Sequence, residues 1–279
     1  MPSIPQTIIQ SQVSQALAED IGSGDLTAAL IPENKQSTAH LICRDNAILC
    51  GQDWFTEVFQ QLNQQIQIKW HYSDGESIAE DQCVCTLTGN SRDILTGERT
   101  AMNFLQTLSG TATVTASYVK HLEKSNIKLL DTRKTIPGLR EAQKYAVRCG
   151  GGYNHRHGLF DGILIKENHI MAAGSIQKAV QNARNNSPHT LKIEVEIETL
   201  EELQQALTAQ ADIMLLDNMS NDMLKQAVEI NNQQAKLEVS GDITHKRLKD
   251  LAQLGIDYIS TGAITKHLTA TDFSLRFES

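Results

Sequence analysis

A pair of cations between two hydroxyls has the clearest chemical potential in this chain. Thr132, Arg133, Lys134 and Thr135 directly follow the apolar run 127–130. Arg can bind a carboxylate or phosphate through two parallel hydrogen bonds, and Lys adds a point charge beside it. A solvated loop can carry the same residues, but a position at the end of a strand-like run favours a loop that binds an anion.

A second cationic segment follows three consecutive glycines, Gly150–Gly152. Such a run permits a sharp turn or a close approach of the backbone to a ligand. His155 and His157 suggest a metal site, yet no third ligand stands at a suitable spacing, and the intervening Arg156 would repel a cation. The segment therefore favours anion binding by His155 and Arg156.

Charge is distributed unevenly along the chain. The net charge is −8, which disfavours nucleic acid or an acidic membrane surface as the partner. Between Asp131 and His169, however, seven basic residues stand against four acidic ones, a local charge of +3. Arg140, Lys144 and Arg148 recur at helical spacing and are predicted to lie on a solvated helix face. The remaining cations form a plausible anion-binding region.

Strand-like and helical patterns repeat regularly in the second part of the chain, where these residues lie. Short apolar runs, each followed by a helical pattern, indicate βα units and a parallel sheet. Polar residues directly follow every run, at the carboxyl end of the predicted strand, which we call its exit. This pattern favours closure into a barrel, because a barrel gathers all strand exits around one site. The predicted fold is an incomplete parallel α/β barrel of about six to seven strands. The runs are Ile127–Leu130, Ile163–Ile165, Ile193–Ile197, Ile213–Leu216, Leu237–Val239 and Tyr258–Ile259.

Acidic residues end two of these runs. Within 193–197, Ile and Val alternate with Glu, so the apolar face should meet helices while the carboxylates point into the barrel. An inward carboxylate requires a nearby cation or metal. Glu198, beside a capping box that begins at Thr199, is predicted to be solvated. Glu196 and Asp217, at the exits, are predicted to hold Mg²⁺ or ribose hydroxyls.

Three further exits carry groups that suit an anion. Lys166 could act as a Schiff-base nucleophile, but the neighbouring cations favour an anion-binding role. Hydroxyls with glycine amides ahead of helices can form a phosphate cradle, which barrels commonly place after their final strands. The two final exits have this composition: Ser240, Gly241 and Asp242, then Thr261, Gly262 and Ala263.

The first part of the chain differs in texture. Short strand-like pieces and two helical patterns predict an N-terminal α+β sandwich-like domain over 1–110, with the barrel domain over 111–279 and a tail, 268–279, that returns to the first domain. The boundary is placed near Gly110. Five scattered cysteines without C-x-x-C spacing argue against disulfides and zinc. No signal peptide or membrane span is recognised, so a cytoplasmic location is expected.

Short motifs stand in order along the chain, among them the segments described above. The motifs are Gly97-Glu98-Arg99-Thr100-Ala101, Leu108-Ser109-Gly110, Asp131-Thr132-Arg133-Lys134-Thr135, Gly150-Gly151-Gly152 with Asn154-His155-Arg156, Leu164-Ile165-Lys166-Glu167-Asn168-His169, Glu194-Val195-Glu196, Leu216-Asp217-Asn218, Glu238-Val239-Ser240-Gly241 and Thr261-Gly262-Ala263. In this order they resemble the motifs of the quinolinate phosphoribosyltransferases, the carboxylating nicotinate-nucleotide pyrophosphorylases. The resemblance extends from Glu19-Asp20 to Arg276-Phe277.

The resemblance implies a reaction, a cofactor and an assembly. Quinolinate and phosphoribosyl pyrophosphate would give nicotinate mononucleotide, pyrophosphate and CO₂ with Mg²⁺, in a homodimer whose Arg99 reaches the neighbouring subunit's site. Glu196, Asp217, Lys134 and Lys166 would be the catalytic group. By the same resemblance, quinolinate's carboxylates would contact Arg99, Arg133, His155 and Arg156, and pyrophosphate would contact Lys134 and Lys166. The ribose and the metal would contact Glu196 and Asp217. The 5′-phosphate would contact Ser240, Gly241 and Gly262.

Three alternatives stay open at this point. A phosphoribosyltransferase that acts on nicotinate itself would need fewer cations than Arg99, Arg133 and Arg156 provide. A Schiff-base lyase would use Lys166. A non-catalytic metabolite-binding protein would have little use for two carboxylates within a cationic pocket.

Overall fold

The computed structural model describes residues 4–278, and the chain divides into two compact units. The first comprises Met1–Ala116, Thr135–Gly151 and Ile264–Ser279, and the second comprises Ser117–Lys134 and Gly152–Ala263. Gly110, the predicted boundary, lies inside one long helix, Ser91–Val119. No helix within 4–278 is both long enough and apolar enough to cross a membrane.

Helices and strands alternate along much of the chain. The helices are α1 (Gln6–Ile21), α2 (Gln52–Leu62), α3 (Ser91–Val119), α4 (Arg140–Cys149), α5 (Glu167–Ala173), α6 (Ile176–Asn186), α7 (Leu200–Thr208), α8 (Asn221–Asn231), α9 (His245–Leu251) and α10 (Ala263–Lys266). The strands are β1 (Gln36–Cys43), β2 (Ala47–Ile48), β3 (Gln67–Trp70), β4 (Ser77–Ile78), β5 (Cys83–Asn90), β6 (Lys128–Leu130), β7 (Ile163–Ile165), β8 (Ile193–Ile197), β9 (Ile213–Asp217), β10 (Lys236–Ser240), β11 (Tyr258–Ser260) and β12 (Phe273–Phe277).

The first unit is built on an antiparallel sheet with the order β12-β1-β5-β3. Along β1, Ala39, Leu41 and Cys43 are buried at every second position, so one face of the sheet meets the core. The aromatic side chains of α2 fill that core, with Phe55 and Phe59 almost fully buried. The last strand of the chain, β12, pairs with β1 and forms an edge of this sheet.

Helix α4 belongs to the first unit and corrects one prediction. Its helical spacing is as expected, but the face that carries Lys144 is not solvated, because Lys144 is completely buried. Ala142, Ala146 and Cys149 of the same helix join the hydrophobic core of the unit. A lysine can enter such surroundings because its four-carbon stem is apolar.

The second unit confirms the predicted fold class. All six strands are parallel, in the order β6-β11-β10-β9-β8-β7. The barrel is incomplete, because β6 and β7 stand at the two ends of this order and do not pair with each other. A single parallel bridge between Leu130 and Tyr153 extends the sheet beyond β6. Parallel strands share one direction, so their carboxyl ends lie at one face of the barrel.

Strand β8 shows how local sequence sets the orientation of side chains. Its Ile and Val residues are buried, and so is Glu194 between them. The following helix α7 begins with the predicted capping box: Thr199 Oγ1 accepts from the Glu202 N–H at 3.2 Å, and Glu202 Oε2 accepts from the Thr199 N–H at 3.0 Å. The strand ends at Ile197, two residues before this cap, so Glu196 lies near the exit of β8.

Candidate functional site

The carboxyl ends of the barrel strands surround a cavity of about 360 Å³. Most of the predicted site residues line it, and they come from separate segments of the second unit. The lining residues are Thr132, Arg133, Lys134, His155, Arg156, Leu164, Lys166, Glu196, Leu215, Asp217, Glu238, Ser240 and Ser260. We call this cavity the mouth of the barrel.

A larger cavity, of about 550 Å³, opens at the opposite ends of the same strands. It is lined by residues at or near strand starts, among them Lys128, Ile163, Lys192, Ile213 and Tyr258. Size does not decide which cavity is the functional site. The converging cations and carboxylates lie at the mouth, and α/β barrels act there.

Two guanidinium groups stand side by side at the mouth. Burial, and then repulsion from Arg133, lowers the pKa of Arg156 from its ordinary value. Arg156 is held by a hydrogen bond from Nη1 to the Gly162 carbonyl at 3.0 Å. The buried Nε of Arg133 has no hydrogen-bond partner among residues 4–278. Two close cations with an unsatisfied buried donor form a site that an anion would complete.

Asp131 holds the second cationic segment in place. Its fully buried carboxylate accepts from the His155 N–H at 2.9 Å and from Asn154 Nδ2 at 2.6 Å. The next peptide closes a further bond, from the Arg156 N–H to His155 Nδ1 at 2.7 Å. Asp131 directly follows β6, so this strand positions both the 132–134 loop and the segment that carries Arg156.

Carboxylates occupy the side of the mouth formed by β8 and β9. Glu196 Oε2 contacts Lys166 Nζ, which supplies the cationic partner that the alternation in β8 required. Ligand atoms of Glu196, Glu198 and Asp217 lie within 4.8 Å of one another. Three oxygen donors at this spacing suit Mg²⁺, which prefers oxygen ligands and commonly retains several waters. Glu198 is exposed, as predicted, but it belongs to this cluster.

Close contacts of two glycines bring neighbouring strand exits together. A Cβ added at Gly241 would lie 1.9 Å from Asn218 Oδ1, and one at Gly262 would lie 2.7 Å from Lys134 Cδ. Arg247 bonds the Gly241 carbonyl at 2.8 Å. The Gly241, Thr261, Gly262 and Asp242 backbones thus lie at the predicted end of the barrel, although none of these four residues lines the cavity itself.

Two further predicted residues, Ala263 and Arg99, do not line the mouth. Ala263 begins α10, and its N–H donates to Thr261 Oγ1 at 3.1 Å, so that donor is already used within the chain. Arg99 is an exposed residue of α3 in the first unit. Its proposed role belongs to an assembly of two chains.

Below the mouth, the barrel interior holds a histidine and two carboxylates that the sequence analysis did not single out as a group. His155 Nε2 lies 3.0 Å from Glu194 Oε2 and 3.6 Å from Glu238 Oε1. Burial, followed by the charge of Glu194, raises the pKa of Glu238 to about 8. The alternation in β8 indicated an inward Glu194, but only the fold could reveal Glu238 opposite it.

The Gly241 turn provides a prediction of its own. Its φ of +85° and its contact with Asn218 leave no room for a side chain. We expect Gly241→Ala to weaken binding of phosphoribosyl pyrophosphate by about tenfold, roughly 1.4 kcal/mol, through displacement of the β10 exit. Titration calorimetry with that ligand measures the loss.

A matched control is Gly255→Ala, which has a similar φ of +75° but only one neighbouring atom, 3.7 Å away. It carries the same backbone strain without the clash at the mouth. Equal losses of affinity in the two variants would contradict the assignment of the Gly241 turn to the site.

Taken together, the parallel strands and the charged mouth define an α/β-barrel enzyme whose site receives anionic ligands. Two family models match the chain: quinolinate phosphoribosyl transferase, N-terminal domain, over residues 25–109, and quinolinate phosphoribosyl transferase, C-terminal domain, over residues 111–276. The chain belongs to the quinolinate phosphoribosyl transferase family.

Individual relatives agree over nearly the full chain. It is 42% identical to a probable carboxylating nicotinate-nucleotide pyrophosphorylase of Bacillus subtilis, over 92% of this chain and 89% of the relative. A protein of the same description from Synechocystis is 39% identical over 98% and 93%. The solved nicotinate-nucleotide pyrophosphorylase of Francisella tularensis is 51% identical, with a TM-score of 0.96 over 99% of this chain and 98% of the other.

Proposed function

We propose that the protein transfers the phosphoribosyl group of phosphoribosyl pyrophosphate to the ring nitrogen of quinolinate and releases the 2-carboxylate as CO₂. The products are nicotinate mononucleotide, pyrophosphate and CO₂, and the mononucleotide serves the synthesis of NAD. One observation carries the proposal: Arg133 and Arg156 adjoin at the mouth, and the buried Arg133 Nε lacks a partner among residues 4–278. A dicarboxylate would satisfy both guanidiniums.

The roles of the residues follow from the charges that the reaction develops. Departure of pyrophosphate gives the ribose C1′ cationic character, which Glu196 and Asp217 stabilise. Lys134 and Lys166 bind the leaving pyrophosphate, and Thr132 and Ser240 line the mouth beside the ribose. The strand exits nearest the 5′-phosphate are formed by Gly241, Asp242, Thr261, Gly262 and Ala263. After the ring nitrogen is alkylated, the pyridinium accepts the electrons of the breaking C–CO₂ bond, and ring C2 then takes up a proton.

Mg²⁺ is part of the proposal. Glu196, Asp217 and Glu198 would hold it, together with substrate oxygens and water, and it would neutralise charge on the pyrophosphate. The all-oxygen donor set supports this choice. Because Glu196 also contacts Lys166, the metal would rely strongly on Asp217 and on the substrate.

The test measures CO₂ from quinolinate labelled at its 2-carboxylate, with phosphoribosyl pyrophosphate and Mg²⁺. We expect CO₂ and pyrophosphate in equal amounts, with no pyrophosphate when nicotinate replaces quinolinate. Turnover of nicotinate without CO₂ would favour the related transferase. Borohydride trapping of substrate on Lys166 would contradict the proposal in favour of a Schiff-base lyase.

We further propose a homodimer in which Arg99 serves the partner subunit's site. Arg99 is exposed on α3, and two large apolar residues of the first unit, Leu26 and Leu30, are 90% and 83% exposed. Apolar surface of this kind supports an interface. The cytoplasmic location remains a prediction.

Subunit mixing tests the exchange of Arg99. The variants Arg99→Ala and Glu196→Gln should each be nearly inactive, but a mixed dimer would contain one intact site. We expect an equimolar mixture, after exchange of subunits, to regain about a quarter of wild-type activity, the statistical yield when half of the dimers are mixed and each has one of two sites. A mixture that stays inactive despite demonstrated exchange would place Arg99 in its own subunit's site or outside both.

A further inference from the structure

The buried His155–Glu194–Glu238 cluster lies between the mouth and the larger cavity, and His155 and Glu238 line both. The hydrogen bonds of His155 define its tautomer. Nδ1 accepts the Arg156 N–H at 2.7 Å and therefore carries no hydrogen. Nε2 then bears the ring hydrogen and donates it to Glu194 Oε2 at 3.0 Å.

The two carboxylates lack the donors that two anions would need. The side chains of Glu194 and Glu238 are only 6% and 2% exposed. One oxygen of each, Oε1, has no hydrogen-bond partner among residues 4–278. Two adjoining buried carboxylates cannot both ionise at low cost, and one proton between them removes the repulsion and supplies a donor.

The geometry indicates which carboxyl group holds the proton. Glu194 lies closer to the Nε2–H of His155, at 3.0 Å against 3.6 Å for Glu238, and also faces the charge of Arg156, so these contacts leave Glu238 as the site of the shared proton. Glu238 is more deeply buried, and its pKa is raised to about 8 by burial and by the charge of Glu194. At neutral pH Glu238 is the neutral acid of the pair.

We propose that Glu238 and Glu194 are positioning residues of the anion site: protonated Glu238 donates to ionised Glu194, which fixes the His155 ring and, through Nδ1, the Arg156 backbone. The chain of bonds presents a single buried negative charge beneath Arg156. That charge offsets the repulsion between Arg156 and Arg133 and keeps both guanidiniums at the mouth. This inference rests on the proposed function for its effect on quinolinate, but not for the state of His155.

The inference includes a pH dependence with a defined sign. Above about pH 8, Glu238 ionises and a second negative charge develops beneath the anion site, so affinity for quinolinate should fall. The charged or titratable groups nearest Glu238 are Glu194, His155 and Arg156. The larger cavity also holds Lys128, Tyr153, His157, Asp161, Lys192 and Tyr258, and the mouth holds Arg133, Lys134, Lys166, Glu196 and Asp217. Stability should also fall as pH rises toward 8, because the folded state holds a proton that the unfolded chain releases above about pH 4.5.

The first experiment examines the free protein and needs no substrate. Histidine labelled with ¹⁵N identifies the tautomer, and comparison with His155→Asn assigns the His155 signals. We expect neutral His155 with its hydrogen on Nε2 at pH 7. Hydrogen on Nδ1, or an imidazolium at pH 7, would overturn the proposal whatever the protein catalyses.

The second experiment compares two isosteric variants. Glu238→Gln keeps a neutral donor to Glu194, so its Kd for quinolinate should stay within threefold of the wild-type value at pH 7. The increase in Kd that wild type should show above pH 8 should be absent in this variant. Glu194→Gln removes the only anion of the pair, and we expect its Kd to rise about tenfold while kcat changes less than threefold. Calorimetry gives Kd, and thermal melts verify folding.

Several results would overturn the inference. One is a wild-type Kd for quinolinate that stays constant up to pH 9, and another is a Kd for Glu238→Gln that rises as much as that of Glu194→Gln. A third is binding of Mn²⁺ alone that Glu238→Gln abolishes, since a metal would then replace the proton. If wild type releases no CO₂ from quinolinate, the proposed function fails, and the His155 tautomer and the pH dependence of stability still decide this inference.

Discussion

Replacing Glu196 by Gln should lower kcat by about 10²- to 10³-fold, or roughly 3–4 kcal/mol in the transition state. The substitution keeps the shape of the side chain but removes the charge that faces the developing cation on the ribose. KM for phosphoribosyl pyrophosphate should change by less than about fivefold, since the loss applies mainly to the transition state. Steady-state pyrophosphate release measures both constants.

Two comparisons sharpen this result. Glu201→Gln removes an exposed carboxylate on α7 and should leave kcat unchanged. Lys166→Met removes both the cation that contacts Glu196 and a proposed ligand of the pyrophosphate, so it should raise KM for phosphoribosyl pyrophosphate, whereas Glu196→Gln should act mainly on kcat. A Glu196→Gln variant with normal kcat and only a raised KM would assign Glu196 to ground-state binding and refute a role in the transition state.

Replacing Arg133 by Ala should weaken quinolinate binding about 10²-fold, or roughly 3 kcal/mol. The change removes a half-buried guanidinium that would form charge-assisted, bidentate bonds to a carboxylate. Arg133→Lys should recover little, because an ammonium group cannot form the same pair of parallel bonds. Calorimetry with quinolinate measures the change.

The choice of ligands makes this prediction specific. Nicotinate has a single carboxylate, so its weaker affinity should fall less than that of quinolinate in Arg133→Ala. Lys178→Ala, which removes an exposed cation on α6, controls for general loss of positive charge. Equal losses for both ligands would mean that Arg133 does not distinguish a dicarboxylate, and the nicotinate alternative would gain support.

The repeating elements and the residue types at their ends could be predicted from the sequence alone. Apolar runs with helical patterns between them predicted the parallel strands, and the box at Thr199 and Glu202 predicted the start of α7. These signals are local, because periodicity and capping depend on residues a few positions apart. Because parallel strands share one direction, the polar residues at strand exits could then be expected to meet at one end of a barrel.

Which side chains are neighbours and which are buried depends on the folded chain as a whole. Lys144 recurred at a spacing typical of a solvated face, yet the fold buries it completely. Glu194 and Glu238 belong to different strands, and their approach to His155 depends on strand order and on the bond from the His155 N–H to Asp131. Burial and proton sharing arise from residues far apart in the chain, so periodicity alone could not predict them.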